Sequence, residues 1–196
     1  MSRSAGSAAS GLLLVVLAAC RAPDRPDPPT DTTPPVATTP ASPDAAEPAS
    51  QWRLTPQGLG PVVSGMPLSD IAATIGASPD FDPAERDCGF LRAPGAPAGV
   101  AFMIVAGHIA RVDVTEGAVR TVEGAGIGTT ESELRTLYAG HLTEQPHKYT
   151  DGRYLIVSPA GPDSTTHRVI FETDGKVVTR LRGGRLPEVE WVEGCS

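Results

Sequence analysis

The chain has 196 residues, a formal net charge of −7 and three cysteines. That acidity lacks the basic footprint a nucleic-acid partner demands, so none is expected. The charge divides as +1 over residues 1–20 (Arg3), −3 over 21–50 (two basic, five acidic) and −5 over 51–196 (13 basic, 18 acidic), and only the last stretch can bury a single core.

Arg3 precedes an apolar run that starts at Leu12 and closes on Leu17-Ala18-Ala19-Cys20. A membrane-spanning helix needs about 20 apolar residues. This run is less than half as long and predicts a signal peptide over residues 1–19 instead. The Leu-Ala-Ala-Cys ending resembles the lipobox of bacterial lipoproteins. The resemblance implies a diacylglycerol thioether and an acylated (palmitate-type) amino group on Cys20, and hence a membrane partner. Two or more acyl chains anchor stably where one does not. Arg21 rather than Asp follows the cysteine, which by the same resemblance favours the outer over the inner membrane.

Residues 21–50 hold nine of the chain's 20 prolines and no aromatic residue. Such a segment cannot offset its ordering entropy, so residues 20–50 read as a lipidated cysteine followed by a disordered spacer. Extended polyproline geometry would give it about 3.1 Å per residue. With Cys20 taken by lipid, Cys88 and Cys195 remain as a disulfide pair for an oxidising compartment.

Composition changes at Gln51, where a single α+β domain is expected to run to residue 196. Pro67 suits the first turn of a helix over 67–75, Ile71 and Ile75 share its face, and Gly76 stands where a left-handed cap falls. The loop-like stretch Pro79–Pro97 carries Cys88 and a short strand around Phe90. Val100–Val105 reads as a buried strand, Ala106-Gly107 as a turn and His108–Val114 as the returning strand. A second helix over 130–139 opens on a capping box made by Thr130 and Glu133, with Leu134, Leu137 and Tyr138 as its stripe. Strands follow at Tyr154–Val157 and Arg168–Thr173. Asp174-Gly175 is a strong hairpin turn, leading to Lys176–Arg182. The order repeats: aligning Gly65 with Gly128 and inserting a few loop residues brings Gly107 to Gly175 and Ile109 to Val177. Two tandem helix-plus-antiparallel-hairpin repeats, about 58–115 and 121–185, are predicted to pack two helices on an antiparallel sheet of some eight strands.

Gly65-Met66 before a short helix, followed by an antiparallel meander, with Gly128 opening a second unit of the same order, resembles the β-lactamase-inhibitor-protein-like fold. The small lipoprotein of the outer-membrane barrel-assembly machinery is similar in containing one such unit. Cys88, Phe102-Met103-Ile104, Glu144 to Tyr149, Phe171 to Asp174 and Glu193-Gly194-Cys195 resemble an uncharacterised group of proteobacterial envelope proteins, some of which carry an automatic lectin label. The resemblance spans roughly residues 58–196 and implies no particular binding residue.

No catalytic set is expected. Gly124-Ala125-Gly126-Ile127-Gly128 fits neither dinucleotide nor phosphate-loop patterns. Asp163, Ser164 and His167 are neighbours without a nucleophile elbow. The four histidines form no close-spaced metal pair, so neither a metal nor another cofactor is predicted. The candidate contact residues are His147 and Tyr149, in a loop between helix and sheet, and Lys176, Arg180 and Arg182, on one face of the last hairpin. A backbone-bonded histidine and a solvated strand face are the plainer readings of these two sets. The function expected is a membrane-anchored, non-catalytic accessory domain with an envelope protein partner. The alternative is a glycan-binding, lectin-like module. A protein-binding domain should expose a sheet face with an apolar centre and charged rim; a lectin should expose Trp52, Tyr149, Tyr154 or Trp191 in a polar concavity.

Overall fold

The computed structural model describes residues 51–76, 82 and 84–196. The signal peptide, Cys20 and the tether through residue 50 lie outside the described residues, as does part of the loop after the first helix. Among the described residues no helix is long and apolar enough to cross a membrane.

The domain is α+β and mostly β. Its centre is a seven-stranded antiparallel sheet in the order β4-β5-β6-β11-β10-β9-β8. These strands are β4 (Cys88–Leu91), β5 (Val100–Val105), β6 (His108–Val114), β8 (Leu142–Pro146), β9 (Arg153–Val157), β10 (His167–Thr173) and β11 (Val178–Arg185). A separate four-stranded sheet joins β1 (Arg53–Thr55), β2 (Gly58–Leu59), β3 (Val62–Val63) and β7 (Arg120–Thr121), with β1 and β7 parallel. The expected single sheet of eight antiparallel strands is thus two sheets, one containing a parallel pair. Strands two or three residues long carry too little periodicity to announce themselves.

Both helices cover the same face of the large sheet. Helix α1 (Leu68–Ile75) is capped by Pro67 in an extended conformation, and Gly76 closes it at φ 66°, donating to the Ala72 carbonyl. Helix α2 (Glu131–Leu137) starts on the expected capping box. The hydroxyl of Thr130 accepts from Glu133 N–H while the Glu133 carboxylate accepts from Thr130 N–H. Ile71, Leu134 and Tyr138 join Phe102, Ile104, Leu155, Phe171 and Leu181 in one core, onto which β1 and β2 add Leu54 and Leu59. The Tyr138 and Phe171 rings lie 5.6 Å apart, tying α2 to β10.

Where the chain enters each helix, the same backbone contacts occur. Gly65 N–H donates to the Ile109 carbonyl and Gly128 N–H to the Val178 carbonyl; Leu68 N–H donates to Gly107 and Glu131 N–H to Lys176. By these contacts Ile109 corresponds to Val178, one residue beyond the expected Val177. Ala106 and Gly107 both take positive φ in the first hairpin and Gly175 does in the second; by the backbone contacts Ala106 is the counterpart of Gly175, so aligning the two turn glycines places the strands one residue out.

Strand β11 runs past its expected end at Arg182, through Gly183 and Gly184 to Arg185. A Cβ on Gly183 would sit 2.5 Å from the Thr55 carbonyl, and one on Gly184 2.5 Å from Ala110 O, so the two glycines admit β1 and β6 at close range.

Candidate functional site

The second face of the large sheet is not open. The chain beyond β11 folds back across it, and a 3₁₀ turn at Glu188–Glu190 buries Val189 among Tyr154, Ile156 and Ile170. Two arginines beneath hold this strap by its backbone. Arg111 Nη1 donates to the carbonyls of Glu188 at 3.0 Å and Trp191 at 2.6 Å, while Arg182 Nε donates to Val189 at 2.6 Å. Each also has a carboxylate, Asp113 Oδ2 at 2.9 Å from Arg111 Nε and Glu172 against Arg182. Burial pushes the Arg111 guanidinium below its ordinary value and the Asp113 carboxyl above its own; the partner opposes burial in both cases. Arg185 clamps the Glu188 side chain at 2.8 Å and Lys148 holds Glu193 at 2.9 Å. The Cys88–Cys195 disulfide ties the end of the strap to edge strand β4.

Arg182, expected as part of a cationic surface, is 5% exposed beneath the strap and neutralised by Glu172. Lys176, in the turn before β11, and Arg180 remain at the surface. His147 follows directly on β8. Its Nδ1 accepts from Tyr149 N–H at 3.1 Å, which leaves Nε2 towards Glu172 Oε2 at 3.6 Å. Its ring stacks on Tyr154 at 4.5 Å. His147 and Arg180 share the wall of a cleft of about 500 Å³ with Asp151, Glu172 and Thr179. Tyr149, 60% exposed, stands beside it, its ring 6.4 Å from that of His147. Trp191 lines a broader concavity of about 900 Å³ next to the disulfide. Tyr154 is buried, and Trp52 is half-buried against the core.

A different surface has the apolar centre. A groove of about 310 Å³ opens between the C-terminal end of α2, the loop after β7 and the ends of β1 and β9. Its floor is Leu54, Val157 and Val169, and its lip carries Val122, 67% exposed, and Leu137, 42% exposed. Exposed aliphatics gathered around an apolar floor are what a contact surface requires. Leu137 also borders an adjoining concavity of about 430 Å³ along with Arg120, Ser132 and Glu133.

The polar groups at this lip form a chain. Ala125 N–H donates to Thr121 Oγ1 at 3.2 Å, Thr121 and Tyr138 hydroxyls lie 2.6 Å apart, and Tyr138 donates to Glu123 Oε2 at 2.9 Å. Burial first, then the Glu123 carboxylate, pushes the Tyr138 phenol well above its usual range, so at neutral pH it stays a donor. No ion pair to Glu123 is found among the described residues.

Tyr138 was legible in sequence as part of the α2 stripe, but Val122, Glu123 and the groove were not. The lining comes from positions between Leu54 and Val169. Only exposed valine so near an acidic residue and a glycine gave any local sign.

No protein-family model matches the chain, and no curated protein matches it. Among solved structures, the uncharacterized protein yfeY from Escherichia coli is similar at a TM-score of 0.40 and 16% identity, over 68% of this chain and 99% of that one.

Proposed function

We propose that this protein is a lipid-anchored component of the bacterial cell envelope whose folded domain is a non-catalytic module that docks another envelope protein. The observation that carries docking is the apolar-floored groove beside α2, with Val122 and Leu137 exposed on its lip. The sheet face first expected to serve is closed by the strap, which fills it with Val189. Anchorage rests on the Leu17–Cys20 sequence. An outer-membrane site is favoured by Arg21. A photo-reactive residue replacing Leu137 in cells should crosslink one discrete protein, whereas the same residue at exposed Val63, on another surface, should not. Identical crosslinking from both positions overturns the docking assignment. Cys20→Ala should leave the membrane fraction; retention there overturns the anchor.

A lectin-like glycan module is the second reading, and Tyr149 favours it: an exposed aromatic ring beside a polar cleft is how a sugar face is held. A glycan array probed with the full chain and with Tyr149→Ala decides it, since array binding that survives the substitution removes the cleft from consideration.

We also infer that the domain is two copies of one helix-then-meander unit, about 58–115 and 121–185. Support comes from constant spacing. The helix contacts recur 63 residues apart (Gly65 and Gly128) and the hairpin contacts 69 apart (Ile109 and Val178). Each returning strand carries a bulge at the same place: Ala110, between Ile109 opposite Ile104 and Arg111 opposite Met103, and Thr179, between Val178 opposite Thr173 and Arg180 opposite Glu172. Asp113 and Arg182, also 69 apart, pair with each other across β6 and β11, as a local twofold between the units requires.

A further inference from the structure

We infer that the groove beside α2 selects a polypeptide segment in which an aliphatic side chain is next to a lysine or arginine, the cation seated on Glu123; this rests on the docking reading above. At about 310 Å³ the groove lies at the small end of ligand sites and suits one or two side chains rather than an extended cofactor. Its floor, over the buried Leu54, Val157 and Val169, offers an aliphatic chain apolar contact and no polar partner.

The cation preference comes from how Glu123 is held. Tyr138 fixes Oε2 by a 2.9 Å hydrogen bond, and Thr121 behind it sets the direction of the phenol. This leaves Oε1 without a hydrogen bond among the described residues, on a carboxylate already oriented at the lip. Arg120, the basic residue that borders the adjoining concavity, is turned to the Gly124 carbonyl at 3.1 Å and Thr129 Oγ1 at 3.4 Å. Arg135, further along α2, is engaged by Glu144 and Glu131. Among the described residues no arginine or lysine lines the groove, and His141 is the only titratable group there besides Tyr138 and Glu123. A partner acid would meet a fixed like charge there, while a lysine or arginine gains a charge-assisted hydrogen bond to a pre-oriented acceptor. Long basic side chains also lay their methylenes along apolar surface, which Val122 and Leu137 provide.

The test is selection of a phage-displayed random dodecapeptide library on the full chain. The enriched peptides are then synthesised and titrated against the parent protein, Leu137→Ala, Glu123→Gln and Glu123→Lys. The expected peptides carry an aliphatic residue beside Lys or Arg. Leu137→Ala and Glu123→Gln each weaken them about tenfold, and Glu123→Lys shifts selection to Asp or Glu. Peptides that need Leu137 but lack a basic residue, and bind Glu123→Gln as tightly as the parent, overturn the cation selectivity and leave the docking groove standing. If no enriched peptide is weakened by Leu137→Ala, the groove is not a docking site and both fall. Glu123 is exposed, so its variants should match the parent in far-UV circular dichroism.

Discussion

Replacing both Cys88 and Cys195 by Ala, in a Cys20→Ser background that removes the third thiol, is expected to lower the unfolding free energy by about 4–5 kcal/mol. The bridge joins residues 107 apart, so its loss returns nearly the full loop-closure entropy to the unfolded chain. The native state should change little, because the strap keeps three backbone bonds to Arg111 and Arg182 and the buried Val189. For a domain of this size the corresponding fall in Tm is ~15 °C. Urea titration followed by the fluorescence of Trp52 and Trp191 measures it, with an m-value that rises as the released chain exposes more surface. A loss below about 1 kcal/mol with an unchanged m-value would refute the reasoning, since the unfolded ensemble would then be no freer without the bridge than with it.

Gly183→Ala should cost about 1–3 kcal/mol by overpacking, because the new methyl group falls 2.5 Å from Thr55 O and 3.2 Å from Leu54 Cδ1; an unchanged urea midpoint would contradict the close approach of β1. Carboxylate titration by NMR should separate two classes. The hydrogen bonds from Arg135 hold Glu144, and those from Thr130 and the Val177 and Lys176 amides hold Glu133 and Asp174, below the ordinary 4.5 or 3.8 of their types, whereas burial raises Asp113 above 3.8. The first three therefore contribute stability that is present above their unfolded values and lost as pH falls through their depressed folded values. Asp113 has the opposite sign, its burden relieved on acidification. Glu144→Gln should flatten the acid limb of stability, and an Asp113 titrating below 3.8 would reverse its assignment.

Several elements were readable because their causes are local. The Thr130 and Glu133 box, the Gly76 cap, the apolar run Val100–Val105 and the turn after Thr173 each need only neighbours in sequence. Strand β8 was missed because Leu142–Pro146 has no alternation; it becomes a strand by pairing with β9, and Glu144 finds its cation on α2. Of the cationic face expected from Lys176, Arg180 and Arg182, only the two arginines share a strand face: Lys176 lies in the turn, ahead of the Thr179 bulge, and Arg182 lies beneath the strap.

The sequence by itself determined the local turns and caps, the amphipathic faces of the two helices, and which two cysteines were free to pair within the domain. The tertiary structure alone decided that the second sheet face is covered, because that depends on a segment beyond β11 landing on Arg111, 77 residues earlier in the chain. It alone decided where the groove lies, since Leu54, Glu123, Leu137 and Val157 belong to separate elements that meet only when the core closes. Periodicity specifies how a strand or helix divides its own two faces; what covers each face is set by long-range packing, to which a local pattern is blind.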